Sequence, residues 1–205
     1  WNTPAPTTGW EEFPGGGGGG GGAAPASGQQ QSSQPSPDCI NALAAMNKGV
    51  LSYERAMRLW DVFSAHGDLG PLLAAMAIRE SDANPSAKQL NGGGRGLMQI
   101  DVTQTPGKRY KDDPRLMTAE GNVEIALEIM NAERENLARY GFSGANANML
   151  YMLLHIYNAG YFNRETMKRL AKSSNPRDFD KGTTNGNYVS SIINFAKHCF
   201  GMQGV

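Results

Sequence analysis

At 205 residues, with 19 basic and 19 acidic side chains interspersed, the chain carries a formal net charge of zero and lacks the electrostatic footprint of a nucleic-acid binder. Its longest apolar stretch, Met149 to Tyr157, falls far short of the roughly 20 residues needed to cross a bilayer and is interrupted by His155. No nucleic-acid and no membrane partner is therefore expected.

The chain opens on Trp1 without a basic-then-apolar leader, as a processed form or a fragment would. Residues 1–13 hold Trp1 and Trp10 in polar, proline-containing surroundings. They are similar to the last strand region of a small chitin-binding module, whose exposed aromatics stack on sugar rings; a simple continuation of the linker is the alternative. Residues 14–37 contain the unbroken glycine run Gly15 to Gly22 and then an Ala/Pro/Ser/Gln stretch with no large apolar residue. Such a segment cannot bury enough surface to offset the entropy of ordering, so it reads as a flexible tether.

Residues 38–205 read as one mostly α domain, large enough for a real core. Ser36-Pro37-Asp38 supplies a cap, a proline for the first helical position and a first-turn acid, leading into Ile40 to Met46. A second helix is expected from Ser52 to Ala65, stopping at Gly67, and a short apolar one from Leu72 to Glu80 behind Pro71. Gly96 to Ile100 reads as the extended element. The longest helix is placed at Asn122 to Tyr140, with Val123, Leu127, Met130 and Leu137 on one stripe and Gly141 as its stop. Further helices follow at Ala145 to Asn158, Arg164 to Ala171 and Tyr188 to Phe200, the last ended by Gly201. The two cysteines, Cys39 and Cys199, flank the domain: they either staple its start to its last helix or remain two buried thiols.

The segment with most chemical content is Ala77-Ile78-Arg79-Glu80-Ser81-Asp82-Ala83-Asn84-Pro85, followed by Gly96-Leu97-Met98-Gln99-Ile100-Asp101 and later by Tyr157-Asn158-Ala159-Gly160. A carboxylate at the end of an apolar helix sits beside unpaired carbonyls and low-dielectric walls, and both disfavour its charge. Glycosidic cleavage needs a carboxyl of that kind, protonated near neutral pH, to give its proton to the leaving oxygen. A glutamate at a helix end is otherwise an ordinary solvated residue, and the companion motifs are what favour the catalytic reading.

In this order the three segments resemble the signature motifs of family-23 glycoside hydrolases, the soluble lytic transglycosylases and goose-type lysozymes. Glu120 to Met130 and Asp180 to Tyr188 resemble goose-type sequences in particular, and the likeness runs from about Asp38 to Met202. The resemblance implies a lysozyme-like fold, α+β with a small β element at the cleft, and a substrate built from β-1,4-linked N-acetylglucosamine. It implies that Glu80 is the acid, that Gln99 lines the cleft, and that Tyr157 places its hydroxyl near Glu80 or the sugar. Asn158 then binds the acetamido group or neighbouring backbone, and Ser81 hydrogen-bonds the reacting sugar. For Tyr157 and Asn158, plain helix termination is the alternative.

The second carboxylate decides the reaction, because inverting hydrolases need a base about 6.5 to 9.5 Å from the acid to activate water. Asp101 matches a goose-type aspartate and is the candidate; capping the turn that enters Val102 to Thr105 is its alternative role. Asp82 is the weaker candidate, since it equally suits the turn from Ser81 to Pro85. Lytic transglycosylases often lack an acid at the Asp101 position and let the substrate's own hydroxyl attack. The loop Asn91-Gly-Gly-Gly-Arg95 is shorter than in avian goose-type enzymes and lacks their additional acidic residue, and with the glycine tether it resembles bacterial goose-type chitinases. As a phosphate cradle it lacks a lysine and a strand-to-helix context. His66, His155 and His198 are widely spaced, so no metal and no cofactor is expected. The expectation is a secreted, monomeric hydrolase of chitin or peptidoglycan, with a lytic transglycosylase and a non-catalytic glycan-binding protein as rivals.

Overall fold

The computed structural model describes residues 34–90, 92–139, 141–142, 147–160 and 164–203. The expected chitin-binding remnant at 1–13, the tether up to residue 33, Asn91, the helix end at Tyr140 and the helix start at Ala145 lie outside the described residues.

Helix α1 (Pro37–Ala45) begins as its sequence predicts, with the Ser36 Oγ accepting the Cys39 amide at 3.1 Å. Cys39 is bonded to Cys199, tying α1 to the last helix across 160 residues of chain. A link closing so long a loop stabilises by about 4 to 5 kcal/mol in the chain-entropy account. The single helix expected over 52–65 is two, α2 (Val50–Arg58) and α3 (Trp60–Ser64), broken where Leu59 leaves helical geometry at φ −103°, ψ 12°. No glycine or proline marks that break. It serves packing: the rings of Tyr53 and Trp60, from either side of it, both stack on Phe200, at 5.7 and 5.9 Å.

Helix α4 (Gly70–Ser81) is apolar on every face from Leu72 to Ile78, and all seven of these side chains are buried. A helix without a polar face has to lie inside the domain. It packs most extensively against α8 (Tyr188–Phe200), with α2 and α3 also against it. Its end is made by Asp82 and Ala83, both left-handed at φ 55° and 54°, whose amides return to Ile78 O and Ala77 O.

The extended element falls differently from the expectation. Strands β1 (Gly94–Arg95) and β2 (Ile100–Asp101) pair antiparallel, Gly94 opposite Asp101, and residues 96–99 are the turn between them. Leu97 and Met98 read as strand because they are apolar, yet they are fully buried turn residues. Gly96 and Gln99, at φ 70° and 49°, supply the left-handed corners. Helix α5 (Ala119–Arg139) starts three residues earlier than its periodicity indicates and buries the predicted stripe. Its fully buried Asn122 fastens the turn: Oδ1 accepts the Met98 amide at 2.6 Å, while Nδ2 donates to Leu116 O at 2.7 Å and Arg95 O at 3.2 Å. Helices α6 (Ala147–Ala159) and α7 (Arg164–Leu170) follow, and Gly201 ends α8 at φ 71°. No helix among the described residues is long and apolar enough to cross a membrane.

Replacing Asn122 with Ala strands one amide and two carbonyls inside the core. The expected loss is about 2 to 4 kcal/mol, read as a lower urea midpoint at unchanged slope.

Candidate active site

The end of α4, the β-hairpin, the loop after it, α5, the end of α6 and the start of α8 enclose a cleft of about 680 Å³. Glu80, in the last turn of α4, lies in its wall and keeps some exposure to it. Its carboxyl is otherwise enclosed by protein, and burial pushes its pKa up to about 7 against three opposing influences: a hydrogen bond from Tyr188 and the positive charges of Arg79 and Lys48. The Tyr188 hydroxyl donates to Glu80 Oε1 in a very short contact. Tyr157 donates its hydroxyl to Met98 O at 2.8 Å and so joins α6 to the hairpin turn. Burial, with the Glu80 charge beside them, holds both tyrosine hydroxyls well above their ordinary range, so both remain donors.

Arg79 steadies this corner. Its Nη2 donates to Thr184 O at 3.1 Å and Asn187 Oδ1 at 3.4 Å, and its guanidinium stands 5.5 Å from the centre of the Tyr188 ring. The segment leading into α8 is thereby fixed to the helix that carries the acid.

Asp101 lies in the wall of the same cleft on β2. Its Oδ1 accepts the Thr103 amide at 2.8 Å and the Thr103 hydroxyl at 2.6 Å, and its Oδ2 accepts Gln104 Nε2 at 3.2 Å. The Thr103 hydroxyl bond is the main reason its carboxyl sits below the usual aspartate range. Asp101 thus caps the turn, as one of its two sequence readings had it, and also faces the cleft. Three glycines make room for this arrangement. A Cβ on Gly93 would lie 1.8 Å from Asp101 Oδ1, one on Gly94 2.5 Å from Gln99 Oε1, and one on Gly92 2.2 Å from Gln89 Oε1. Gln99 faces the cleft while its Nε2 donates to Gly96 O at 2.9 Å.

The remaining predicted residues divide. Asn158 lines the cleft, with Oδ1 accepting the Thr184 amide at 2.8 Å, a backbone contact of the kind the resemblance implied. Ser81 is not in the wall: its hydroxyl donates to Leu97 O at 2.7 Å and accepts the Asn84 amide at 3.1 Å, bracing the end of α4 against the hairpin turn. Asp82 is likewise outside the wall, paired with Lys48 at 2.7 Å. Tyr188, Arg79 and the cleft-lining Glu133 were not singled out from sequence. The goose-type stretch ending at Tyr188 was the available signal for the first. Glu133, in the middle of a helix among other charged residues, had none. Among the described residues no cluster of three His, Cys, Asp or Glu could hold a metal ion.

Gly93→Ala is expected to displace the pinned Asp101 and lower kcat/KM by about tenfold or more, with a circular dichroism spectrum like that of the parent. Tyr188→Phe removes a hydrogen bond that favours ionised Glu80, so the alkaline limb of the pH profile of kcat/KM moves to higher pH.

No curated protein matches the chain. Among protein families, the model described as Transglycosylase SLT domain matches residues 63–179, a span that includes Glu80, the hairpin with Asp101, and Tyr157 with Asn158. With more than half of the sequence covered and a mostly helical, lysozyme-like architecture, the chain belongs to the glycan-cleaving transglycosylase SLT domain family.

Proposed function

We propose that the chain is a secreted, monomeric hydrolase of β-1,4 bonds in N-acetylglucosamine-containing polysaccharide, chitin or peptidoglycan. The observation that carries this reading is the opposite displacement of two carboxyls in one cleft: Glu80 is pushed up to about 7 and Asp101 is held down. A pair driven apart in this way divides the work of acid and base. Protonated Glu80 gives its proton to the leaving oxygen as the bond to the anomeric carbon breaks. Ionised Asp101 takes a proton from the water that attacks that carbon, and the sugar's configuration inverts. In this reading Asn158 Nδ2 and Gln99 hold the sugar. Residues 14–35 then tether the domain to a chitin-binding module of which residues 1–13 are the last part, the expected tether being two residues shorter because Ser36 caps α1 and Pro37 opens it.

Lytic transglycosylase action is the second reading, and two observations favour it. The matched family carries that name. Moreover, three hydrogen bonds to Asp101 make it a weak base, which leaves room for attack by the substrate's own hydroxyl.

Mass spectrometry of the soluble products from chitin oligosaccharides and from peptidoglycan separates the two, because an anhydro end is lighter by one water. Reducing-end products that disappear in Glu80→Gln, with a loss of about 100-fold or more, support hydrolysis; anhydro ends overturn it. Retention of full activity by Glu80→Gln on both polymers would sink both readings.

The acid works only while protonated, so kcat/KM is expected to fall as pH rises through about 7. The sign for stability is the same. Folded Glu80 keeps its proton where the unfolded chain has lost it, so this group's contribution declines between the unfolded value of 4.5 and about 7. Glu80→Gln is therefore expected to be more stable than the parent above pH 7, by at most about 3 kcal/mol and less to the extent that cleft water screens the charge. Thermal melts on either side of this range check it.

A further inference from the structure

Near Glu80, and outside the cleft wall, lies an ion pair that the mechanism above does not use. Lys48 Nζ meets Asp82 Oδ1 at 2.7 Å, and Ser52 Oγ donates to the same oxygen at 3.3 Å. The Lys48 side chain is 15 % exposed, low for a lysine, whereas that of Asp82 is 49 % exposed. Lys48 reaches this place because α1 ends in a left-handed residue, Asn47 at φ 53°, which turns the chain so that the Lys48 amide returns to Leu43 O at 2.9 Å. Asp82 stands two residues after Glu80 and opens the unusual pair of consecutive left-handed residues that ends α4. Neither Asp82 nor Ala83 is a glycine, so this turn needs support from outside itself.

We propose that Lys48 is a positioning residue for the acid: clasped by Asp82, its ammonium fixes the left-handed turn that ends α4 and keeps one positive charge near Glu80. The inference rests on the reading of Glu80 as the proton donor. A cation at the C-terminal end of a helix is favourable in its own right, because it faces the unpaired carbonyls there. The other groups facing Glu80 are Arg79 on its own helix, Tyr157 from α6 and Tyr188 from α8. Arg79 is held by Thr184 and Asn187 and the tyrosines are neutral donors, whereas the Lys48 ammonium is balanced by Asp82, so that removing either partner changes the net charge near the acid. Without Lys48, Asp82 becomes an uncompensated anion near Glu80. Without Asp82, Lys48 becomes an uncompensated cation. The two losses push Glu80 in opposite directions, which a purely structural role would not do.

The test is titration of the ¹³C-labelled Glu80 carboxyl by NMR in the full chain, beside the pH profile of kcat/KM. Lys48→Met is expected to raise the Glu80 midpoint by about half a unit or more, Asp82→Asn to lower it, and Lys48→Arg to leave it near the parent value. An unmoved midpoint in Lys48→Met, or shifts of the same sign in Lys48→Met and Asp82→Asn, overturns the proposal. Should Lys48→Met fail to fold, Asp82→Asn and Lys48→Arg still decide it, since a midpoint not lowered in the first or clearly displaced in the second is equally fatal. If the midpoints move as expected but the alkaline limb does not follow them, Lys48 keeps its role and Glu80 is not the proton donor.

Discussion

The burial of one carboxyl at the end of an apolar helix is the constraint from which the rest of the site follows. Residues 72–78 leave α4 no face to show to water, so it lies in the middle of the domain and carries Glu80 into low-dielectric surroundings. An anion there is costly, and so the group retains its proton up to about 7. The packing of α8 along α4 then delivers the Tyr188 hydroxyl to Oε1. That single donor orients the carboxyl without removing its elevated proton affinity.

The opposite wall is built on a different principle. Asp101 is kept anionic by local hydrogen bonds from Thr103 and Gln104, not by a neighbouring cation, and it is placed by the absence of side chains at the glycines beside it. The hairpin is far too short to hold its shape by strand pairing alone. Its rigidity is borrowed from Asn122 on α5, which satisfies three backbone groups around the turn, and from Tyr157 on α6, which takes a fourth. Acid and second carboxylate thus stand on elements that are each tied to the core by buried polar contacts.

The portion matched to the family begins at Phe63 and stops at Phe179, yet two groups that act directly on Glu80 come from outside it. Lys48 precedes the matched span and Tyr188 follows it. The segments that carry them, α1 with its connection to α2 and α8, are joined by the Cys39–Cys199 bond and by the Ser36 hydroxyl donating to His198 O at 3.2 Å. The flanking helices are in this sense part of the site's support and not an optional addition to a complete domain.

Local periodicity and punctuation already specify most of the helices: the Ser36 cap, the apolar run of α4, the stripe of α5 and the stop at Gly201 are decided by side chains close together in the chain. The short motifs likewise bring Glu80, Gln99, Asp101, Tyr157 and Asn158 into view as one group, and all five line the cleft. What depends on distant parts of the chain was not visible in this way. The break at Leu59 exists so that two rings can meet Phe200, the buried turn at Leu97 and Met98 exists because Asn122 ties it down, and Ser81 braces a turn sixteen residues away instead of facing the cleft. Tyr188 and Lys48 reach Glu80 from 108 and 32 residues away, from opposite ends of the domain. Sequence by itself therefore determined which residue types are present for the chemistry and which helices present them. Only the tertiary structure decided the proton affinities, because desolvation and long-range charge depend on what is packed against a carboxyl and not on what is bonded beside it.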